Sequence, residues 1–534
     1  MKQQLNWRFT TLARAVGTAT LMATASTAQA LSFEFGEGGE WELDLDTTVA
    51  YSAQWRVSRP DYHKVELRPD DDLETQVIKV NSDDGNYNFN RSLIQNKVSA
   101  VSELSIVWRD FGFFGRGRAS YDDVYDDKTD HSEREYLTYN SAKTYGGDAG
   151  FRRFPDGTVD EHRDRIEMLD YYVYTSGSLP GERLFDVRLG SQAINWGTAT
   201  FFQGIAGLQN PIDAIAANTP GVEVKEILLP TGTIYGQVDI IPDVTFEAYY
   251  QYEWKKTELN GVGSFFSTTD WLGPGASNYL IPLGGVDPET GEPALILSAS
   301  KTEGEASDSG QWGAAVHWIT EGGTDLGFYY VNAHSKAPAF YPPSAETGLS
   351  YKIDYFEDIQ GYAASFTTVL GITNIQGEIS YQTDVPVVLE AGNPDEGDLI
   401  TAILGGSFVF EPTALWDNAT VIFDLALAHV DSHDSDELRF DDTAYATSVR
   451  AEFDYLNVYP ALDIKLIPFI NHTFDGTIRE SNMIEDATSI NLAVRFIYQS
   501  NFFVQVGYVN YFDGGHDHLL TDRDNVSLNL SYSF

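Results

Sequence analysis

The chain has 534 residues, with 34 Lys and Arg against 79 Asp and Glu, a formal net charge of −45 and no cysteine. The missing cysteine excludes disulfides and Cys-based metal sites, and the negative charge argues against binding nucleic acid, whose phosphates require a basic surface. The 13% aromatic content argues against disorder, and after residue 30 no apolar run approaches the about 18 residues that a membrane-spanning helix needs.

The first 30 residues have the pattern of a cleavable secretory signal. Basic residues precede a short apolar stretch, residues 15–25, and Ala28-Gln29-Ala30 fits the rule of small residues at a cleavage site. The stretch is too short to remain in a membrane, so we expect residues 1–30 to be removed on export; an amphipathic helix is the alternative. The lack of cysteine suits a chain that crosses the periplasm unfolded.

The last nine residues predict the destination of the exported chain. From Val526 to Phe534 apolar residues alternate with Ser and Asn, and the chain ends in an aromatic residue. A period of two gives a strand one apolar and one polar face. A strand of this kind is typical of bacterial outer-membrane barrels, and an ordinary amphipathic edge strand is the alternative. The same alternation recurs in 41–57 and 244–254 with charged residues on the polar face, as expected for a wet lumen.

Segments of this kind predict a single antiparallel transmembrane β-barrel over residues 31–534, with about 18 strands (roughly 16 to 20). Short gaps alternate with long ones, such as 58–92, 126–162, 258–308 and 335–356, which indicates short periplasmic turns and long outer loops. Side chains do not fill a barrel this wide, so a channel or a plugged lumen follows. The predicted strands are 41–57, 93–108, 112–125, 163–175, 184–197, 227–241, 243–257, 309–319, 325–334, 357–371, 374–385, 400–412, 418–430, 443–456, 460–474, 486–499, 501–512 and 522–534.

Several longer motifs resemble a proteobacterial family of large outer-membrane barrels that is known mainly as a domain of unknown function. The resemblance covers residues 43 to 534 and is carried by Leu45-Asp-Thr-Thr-Val-Ala-Tyr51, Asn81-Ser-Asp-Asp-Gly-Asn-Tyr-Asn-Phe89, Tyr121-Asp-Asp-Val-Tyr125, Asn195-Trp-Gly197, Phe201-Phe-Gln-Gly204, Asn210-Pro-Ile-Asp213, Pro220-Gly-Val-Glu-Val-Lys-Glu226 and Leu520-Thr-Asp-Arg-Asp-Asn-Val-Ser-Leu528.

The resemblance implies that hydrophobic molecules cross the outer membrane through the protein, because genes of the family tend to lie near those for degrading steroids, alkanes or polyesters. It also implies two partners, a periplasmic protein similar to lipoprotein-sorting factors and a transporter of the resistance-nodulation-division type. Outer-membrane lipid and lipopolysaccharide would surround the barrel. The family provides no established site residues.

One segment, residues 198–226, breaks the alternation. It occupies an outer-loop position but is apolar and nearly free of charge, which an outer loop in water would not favour. We therefore expect it to fold into the lumen as a constriction or hatch, with a short helix beginning at Pro211. The alternative is a lid packed on neighbouring outer loops. The residues expected to form the constriction are Phe201, Phe202, Leu208, Asn210, Pro211 and Asp213.

Arginine is unevenly spread, with none from Leu189 to Leu438. Alternation places four arginines on inner faces of the first strands, with carboxylates opposed to them. Such a wall would create a transverse field across a constriction, whereas the alternative is paired charges that only keep the wall wet and rigid. The predicted lumen charges are Arg56, Arg116, Arg118 and Arg188, opposed by Glu103 and Asp186, with Glu42, Asp44, Asp46 and Asp122 as further candidates.

Enzyme and metal functions are disfavoured by the sequence. It contains neither a G-x-S-x-G nor an H-E-x-x-H motif. The acidic runs, such as Asp70-Asp71-Asp72, do not have the spacing of a twelve-residue calcium loop, so solvation of outer loops explains them better. We therefore predict no catalytic residues, no metal and no cofactor.

The sequence thus predicts an outer-membrane conduit of a Gram-negative bacterium for hydrophobic small molecules or lipids. Its mechanism would be passive, with an acidic vestibule, an apolar hatch near residues 201–217 and a polar lumen. Two alternatives stay open: a general cation-leaning porin, which the net charge favours, and a non-conducting partner of a trans-envelope lipid-transfer machine. The substrate, the direction of transport and the oligomeric state are not encoded in any recognisable pattern.

Overall fold

The computed structural model describes residues 31–36, 39–68, 70–82, 84–126, 128–131, 153–276, 278–286, 293–344, 349–515 and 517–534. The expected signal sequence, residues 1–30, lies outside the described residues, as does most of the expected outer loop at 126–162.

The described chain is built mainly of β-strands, as the sequence predicts. The strands are β1 (Leu31–Phe35), β2 (Trp41–Arg56), β3 (Leu93–Trp108), β4 (Phe111–Asp122), β5 (Asp164–Leu179), β6 (Arg183–Gln192), β7 (Thr231–Ile241), β8 (Val244–Gln251), β9 (Asn278–Val286), β10 (Pro293–Glu303), β11 (Gln311–Ile319), β12 (Asp325–Ala333), β13 (Ala339–Tyr341), β14 (Ser350–Asp354), β15 (Ile359–Leu370), β16 (Thr373–Val388), β17 (Pro394–Phe410), β18 (Asn418–Val430), β19 (Thr443–Tyr459), β20 (Leu462–Asp475), β21 (Thr488–Tyr498), β22 (Phe502–Phe512) and β23 (Asn525–Ser533).

The described helices are short and lie in the connections between strands. They are α1 (Leu73–Val80), α2 (Gly85–Asn88), α3 (Asp156–His162), α4 (Ala214–Ala217) and α5 (Val224–Ile227), with 3₁₀ turns at Tyr62–Lys64, Asp123–Tyr125, Ile205–Leu208 and Arg479–Ser481. Within the described ranges, none of these helices has the length and apolar character needed to cross a membrane.

Eighteen of the strands close into one antiparallel barrel, which confirms the predicted fold and strand number. They are β2 to β8, β11, β12 and β15 to β23, and β23 closes the ring on β2 from Thr48↔Ser533 to Arg56↔Asn525. β8 pairs with β11 and β12 with β15, so the barrel wall skips the strands between them. β1 pairs with β2 where β23 has ended, from Leu31↔Leu45 to Phe35↔Trp41.

The two ends of the barrel differ. One end has tight hairpin turns in which Asp243, Gln499 and Ser500 adopt positive φ, a backbone conformation common in short hairpins. The other end carries the long connections. There β9, β10, β13 and β14 form a separate four-stranded sheet, which we call the lid sheet and which the sequence did not predict. Its apolar side chains pack with those of the preceding loop, namely Ala299, Tyr351, Ile353, Trp271, Leu272, Tyr279, Ile281 and Phe340.

Large apolar side chains cover the outer face of the barrel. Phe328 is 51% exposed and Ile379 is 55% exposed, although both lie in the middle of long strands. Aromatic rings gather towards the two ends: Trp41 stacks on Trp108 with ring centroids 5.5 Å apart, and Trp312 meets Tyr330 at 4.9 Å. An apolar band between aromatic girdles is the surface that lipid requires of a barrel.

Candidate functional site

The connection between β6 and β7, residues 193–230, runs through the interior of the barrel, and we call it the hatch. Inward-facing side chains from strands all around the barrel bind it. Gln95 on β3 donates to Thr219 at 3.1 Å, and Gln251 on β8 donates to the carbonyl of Gln209 at 2.9 Å. Ser52 on β2 and Asn529 on β23 both donate to the carbonyl of Pro220, at 3.1 and 3.0 Å.

Within the hatch, the helix expected at Pro211 begins three residues later. The Asp213 carboxylate accepts from the amide of Ala216 at 2.8 Å and so caps α4, which starts at Ala214. Pro211 itself precedes a short pairing of Ile212 with Leu228. The predicted start at Pro211 is therefore wrong, because residues 211–212 pair with the other end of the hatch instead of starting a helix.

One side of the barrel wall holds the hatch by ion pairs. Asp213 is fully buried, and its carboxylate lies 2.6 Å from the guanidinium of Arg118 on β4 and 3.1 Å from that of Arg165 on β5. Burial alone would raise the pKa of Asp213, but Arg165 and Arg118 hold that pKa below its ordinary value. Arg116 and Arg118 also donate to the carbonyls of Lys225 and Glu226, both at 3.2 Å, and so fix α5. We call this part of the interior the charged wall.

The opposite side holds the hatch through two carboxylates that bind its backbone. Glu378 on β16 accepts from the amides of Thr198 and Ile205, both at 2.8 Å. Asp424 on β18 accepts from the amides of Thr200 and Phe201, at 2.8 and 2.7 Å. The sequence analysis did not identify either carboxylate. The available signal was an acid at an inward position of a strand that contains no Lys or Arg.

Around these two carboxylates the inner wall combines a large apolar cluster with uncharged polar side chains such as Ser365, Ser380 and Thr401, and we call it the apolar wall after that cluster. Strands β7, β8, β11, β12 and β15 to β18 contain no Lys or Arg. Their inward side chains join Ile205 and Leu208 of the hatch in one buried cluster that includes Ala315, Tyr329, Val331, Ile359, Ala363, Val385, Val387, Leu399, Ile403, Ala426 and Val430. The lumen therefore has charged side chains on the charged wall, whereas on this wall uncharged polar side chains surround the apolar cluster.

The six residues expected in the constriction all lie in the hatch, but they face different directions. Phe201 contacts Phe469 on β20, with ring centroids 5.4 Å apart, while Phe202 and Leu208 pack into the apolar cluster. Asn210 accepts from the amide of Ile194 at 3.1 Å and closes the turn that leaves β6. With Pro211 in the pairing described above and Asp213 at the charged wall, the six residues span the lumen and do not form one ring.

The arginines expected on the inner wall are all found in ion pairs. Arg116 binds Glu103 and Asp170, at 2.9 and 2.5 Å, and Arg188 binds Asp186 at 2.7 Å. These contacts match the alternative in which lumen charges pair with each other.

Arg56 lies apart from the other arginines, among the long connections. It binds Asp522 at 2.8 Å, and its guanidinium lies 5.6 Å from the ring of Phe265, which Arg523 approaches to 5.2 Å. Arg56 therefore joins outer connections above the hatch and does not take part in a charged ring with Arg116, Arg118 and Arg188.

No cluster of three or more His, Asp or Glu suited to a metal ion occurs among the residues that the structure describes.

Trp196 of the hatch donates its indole N–H to Glu247 at 2.8 Å, and Tyr235 donates to the same carboxylate at 2.9 Å. These polar contacts fix the position of the hatch beside the apolar wall.

Several solved bacterial barrel structures are similar to this chain at low identity. OccAB1 of Acinetobacter baumannii has a TM-score of 0.44 and 9% identity, covering 92% of this chain and 96% of its own. OccK2 (OpdF) of Pseudomonas aeruginosa, solved in complex with glucuronate, has a TM-score of 0.41 and 10% identity, covering 94% and 99%. OmpF of Salmonella typhi, solved with daunomycin, has a TM-score of 0.36 and 9% identity, covering 94% and 100%.

These values are too low to support conclusions about substrate or mechanism. No curated protein matches the chain. One family profile, described as a protein of unknown function (DUF1302), matches residues 11–534, which confirms the resemblance seen in the sequence motifs. The chain therefore belongs to the DUF1302 family of proteins of unknown function.

Proposed function

We propose that the protein is an outer-membrane channel that passes hydrophobic small molecules or lipids, with the hatch as its closure. The closed barrel with an apolar outer band supports a bilayer as its surroundings, because such a surface would not stay in water. An even number of antiparallel strands is typical of bacterial outer-membrane barrels. The secretory pattern of residues 1–30 agrees with export to that membrane.

The apolar cluster on the apolar wall is the observation that most strongly supports a hydrophobic substrate. A general aqueous pore has a polar interior, whereas an apolar cluster of this size on the inner face disfavours water. Here Ile205, which is fully buried, and Leu208 of the hatch cover that face. When the hatch moves away, an apolar molecule can take the place of these side chains, and the wall never has to face water.

The contacts that hold the hatch differ in kind between the charged wall and the apolar wall. Its ion pairs with Arg118 and Arg165 are buried, and breaking such pairs is costly. At the apolar wall it is held by backbone amides that donate to Glu378 and Asp424, whose place water can take, and by non-directional apolar contacts, whose place a hydrophobic molecule can take. We therefore expect the hatch to stay attached at the charged wall and to open at the apolar wall.

A cation-leaning porin is the second candidate, which the net charge of −45 favours. A non-conducting role beside a periplasmic lipoprotein-sorting-like protein and a resistance-nodulation-division type transporter is the third, and co-purification of those partners would test it. The three candidates differ in what crosses the barrel: hydrophobic molecules, ions or neither.

The test weakens the contacts at the apolar wall without removing side-chain volume. We would combine Glu378→Gln with Asp424→Asn and measure the entry of N-phenylnaphthylamine into cells of a Gram-negative host, whose lipopolysaccharide slows this probe. The expected result is faster entry than with the wild type, together with low potassium conductance of the purified wild-type barrel in planar bilayers. The control is Asp186→Asn, an inner-wall carboxylate that binds Arg188 on the same strand, β6.

Two results would contradict the proposal. Free potassium conductance of the wild type without probe entry would indicate a porin. Neither conductance nor probe entry, in the wild type and in the double variant, would indicate a barrel that passes nothing.

A further inference from the structure

A cavity of about 260 Å³ lies beside the lid sheet, between it and the connections that flank it. Residues 256–259 line one side, and Lys301, Glu303 and Ile353 of the lid sheet line another. The same stretch 256–259 touches the hatch with its backbone: the amide of Glu258 donates to Ile212 at 2.9 Å, and the amide of Ala214 donates to Glu258 at 2.9 Å. A molecule in this cavity is therefore separated from the hatch by a single layer of chain.

One end of the cavity carries two ammonium groups that share one carboxylate. Lys256 and Lys301 both bind Glu303, with Lys301 at 3.0 Å and one Glu303 oxygen for each lysine. The group of three side chains keeps one excess positive charge. Each ammonium has three N–H donors, so both lysines can donate to a further anion while they stay bound to Glu303.

The rest of the lining is mainly apolar. Besides Thr257 it includes Leu259, Leu272, Pro274, Pro338, Ile353 and Tyr355. Tyr355 is held by Trp254, whose ring centroid lies 4.7 Å away, and the Trp254 indole donates to the carbonyl of Ser335 at 3.1 Å. This surface offers an aliphatic or alicyclic body a preformed place, because its side chains are fixed by their own packing.

Two further carboxylates border the cavity. Glu258 is already paired with Arg165 of the charged wall, which leaves Glu161 as a negative charge at another edge. The recognition of a charged group therefore depends on the lysine pair at one end and not on the total charge of the lining.

We propose that this cavity binds amphipathic anions, molecules with a carboxylate or comparable anionic head on an apolar body, before they reach the hatch. The inference rests on the proposed channel function and narrows its substrate class. The apolar body packs against Leu272, Pro274 and Ile353, and the head accepts hydrogen bonds from Lys256 and Lys301. Neutral hydrophobic molecules use the same apolar surface without this contact.

The experiment compares three probes with the same chain length on the full-length protein held in the uncharged detergent dodecyl maltoside. Octanoate, octanol and octyltrimethylammonium are titrated by calorimetry. We expect octanoate to bind at least about tenfold more tightly than the other two, because charge-assisted hydrogen bonds are the strong ones. Replacing both lysines, Lys256→Met with Lys301→Met, should remove the preference and leave octanol binding unchanged.

The matched control is Lys352→Met, which removes a lysine of the same lid sheet that binds Asp354 outside the cavity lining. It should leave the octanoate preference intact. Equal binding of the three probes by the wild type would overturn the proposal, as would a preference that survives the double substitution. Such a result leaves N-phenylnaphthylamine entry unaffected, so failure of the cavity and failure of the channel are distinguishable.

Discussion

The charged wall and the apolar wall hold the same hatch with different chemistry. On the charged wall, Arg118 and Arg165 bind the buried carboxylate of Asp213, so side chains of opposite charge meet out of water. On the apolar wall, Glu378 and Asp424 bind backbone amides, and the surrounding contacts are apolar. Breaking a buried ion pair leaves both partners with an uncompensated charge. Opening at the apolar wall leaves two carboxylates for water to hydrate and an apolar surface that another apolar molecule can cover. This difference is the basis of the proposal that the hatch opens at the apolar wall.

The largest effect should come from Asp213→Ala. This change leaves two buried guanidinium groups with fewer partners, and breaking a buried pair in this way costs about 3–5 kcal/mol. We expect the hatch to become cleavable by added protease while the barrel keeps its strands, as seen by circular dichroism. Asp186→Ala is the control, because its partner Arg188 is 42% exposed and such a pair contributes at most about 1 kcal/mol. Equal protease sensitivity of both variants would show that the charged wall does not anchor the hatch.

A smaller effect should distinguish two glycines of the hatch at the apolar wall. A Cβ on Gly204 would overlap the carboxylate of Glu378, whereas a Cβ on Gly207 would lie 3.0 Å from the flexible amide end of Gln203. Overpacking of this kind costs about 1–3 kcal/mol. Gly204→Ala should therefore speed N-phenylnaphthylamine entry, and Gly207→Ala should leave it close to the wild type. Similar entry rates for the two variants would contradict the role given to Glu378.

The smallest effect should be the response of the charged wall to acid. The folded pKa of Asp213 lies below its ordinary value of 3.8, so the stabilisation that it provides is present above that value and is lost as the pH falls through the folded pKa. Protection of the hatch from an acid-active protease should therefore be constant from about pH 8 to pH 5 and decrease below about pH 4. Asp213→Ala should lack this step. A step of the same size in the variant would assign it to other carboxylates.

The barrel could be predicted from the sequence because its pattern is local. Strands β3 and β18 have the predicted bounds. Along a strand, the alternation of apolar and polar residues shows which face each residue occupies and where the strand ends. The lid sheet was missed because β9 contains Pro282, Gly284 and Gly285, which are typical of loops, and because β14 pairs with β10 only across a long connection.

The site could be predicted only in part for a related reason. The break in alternation at residues 198–226 marked the hatch, and Arg118 and Asp213 stood out by residue type and position. Glu378 did not, because the amides it binds lie about 180 residues earlier in the chain and come close only when the barrel closes. A single acid on a strand contains no information about such a partner.

A disulfide that locks the hatch to the apolar wall is the most direct test of the proposed opening. The chain has no cysteine, so Leu208→Cys with Gly361→Cys introduces a single pair, at a site where a Cβ on Gly361 would lie 2.6 Å from the Leu208 side chain. Cells with the oxidised variant should admit N-phenylnaphthylamine no faster than cells without the protein, and a reductant should restore entry. Leu208→Cys alone is the control. Equal entry before and after reduction, with the disulfide shown by mass spectrometry, would contradict a hatch that opens at the apolar wall.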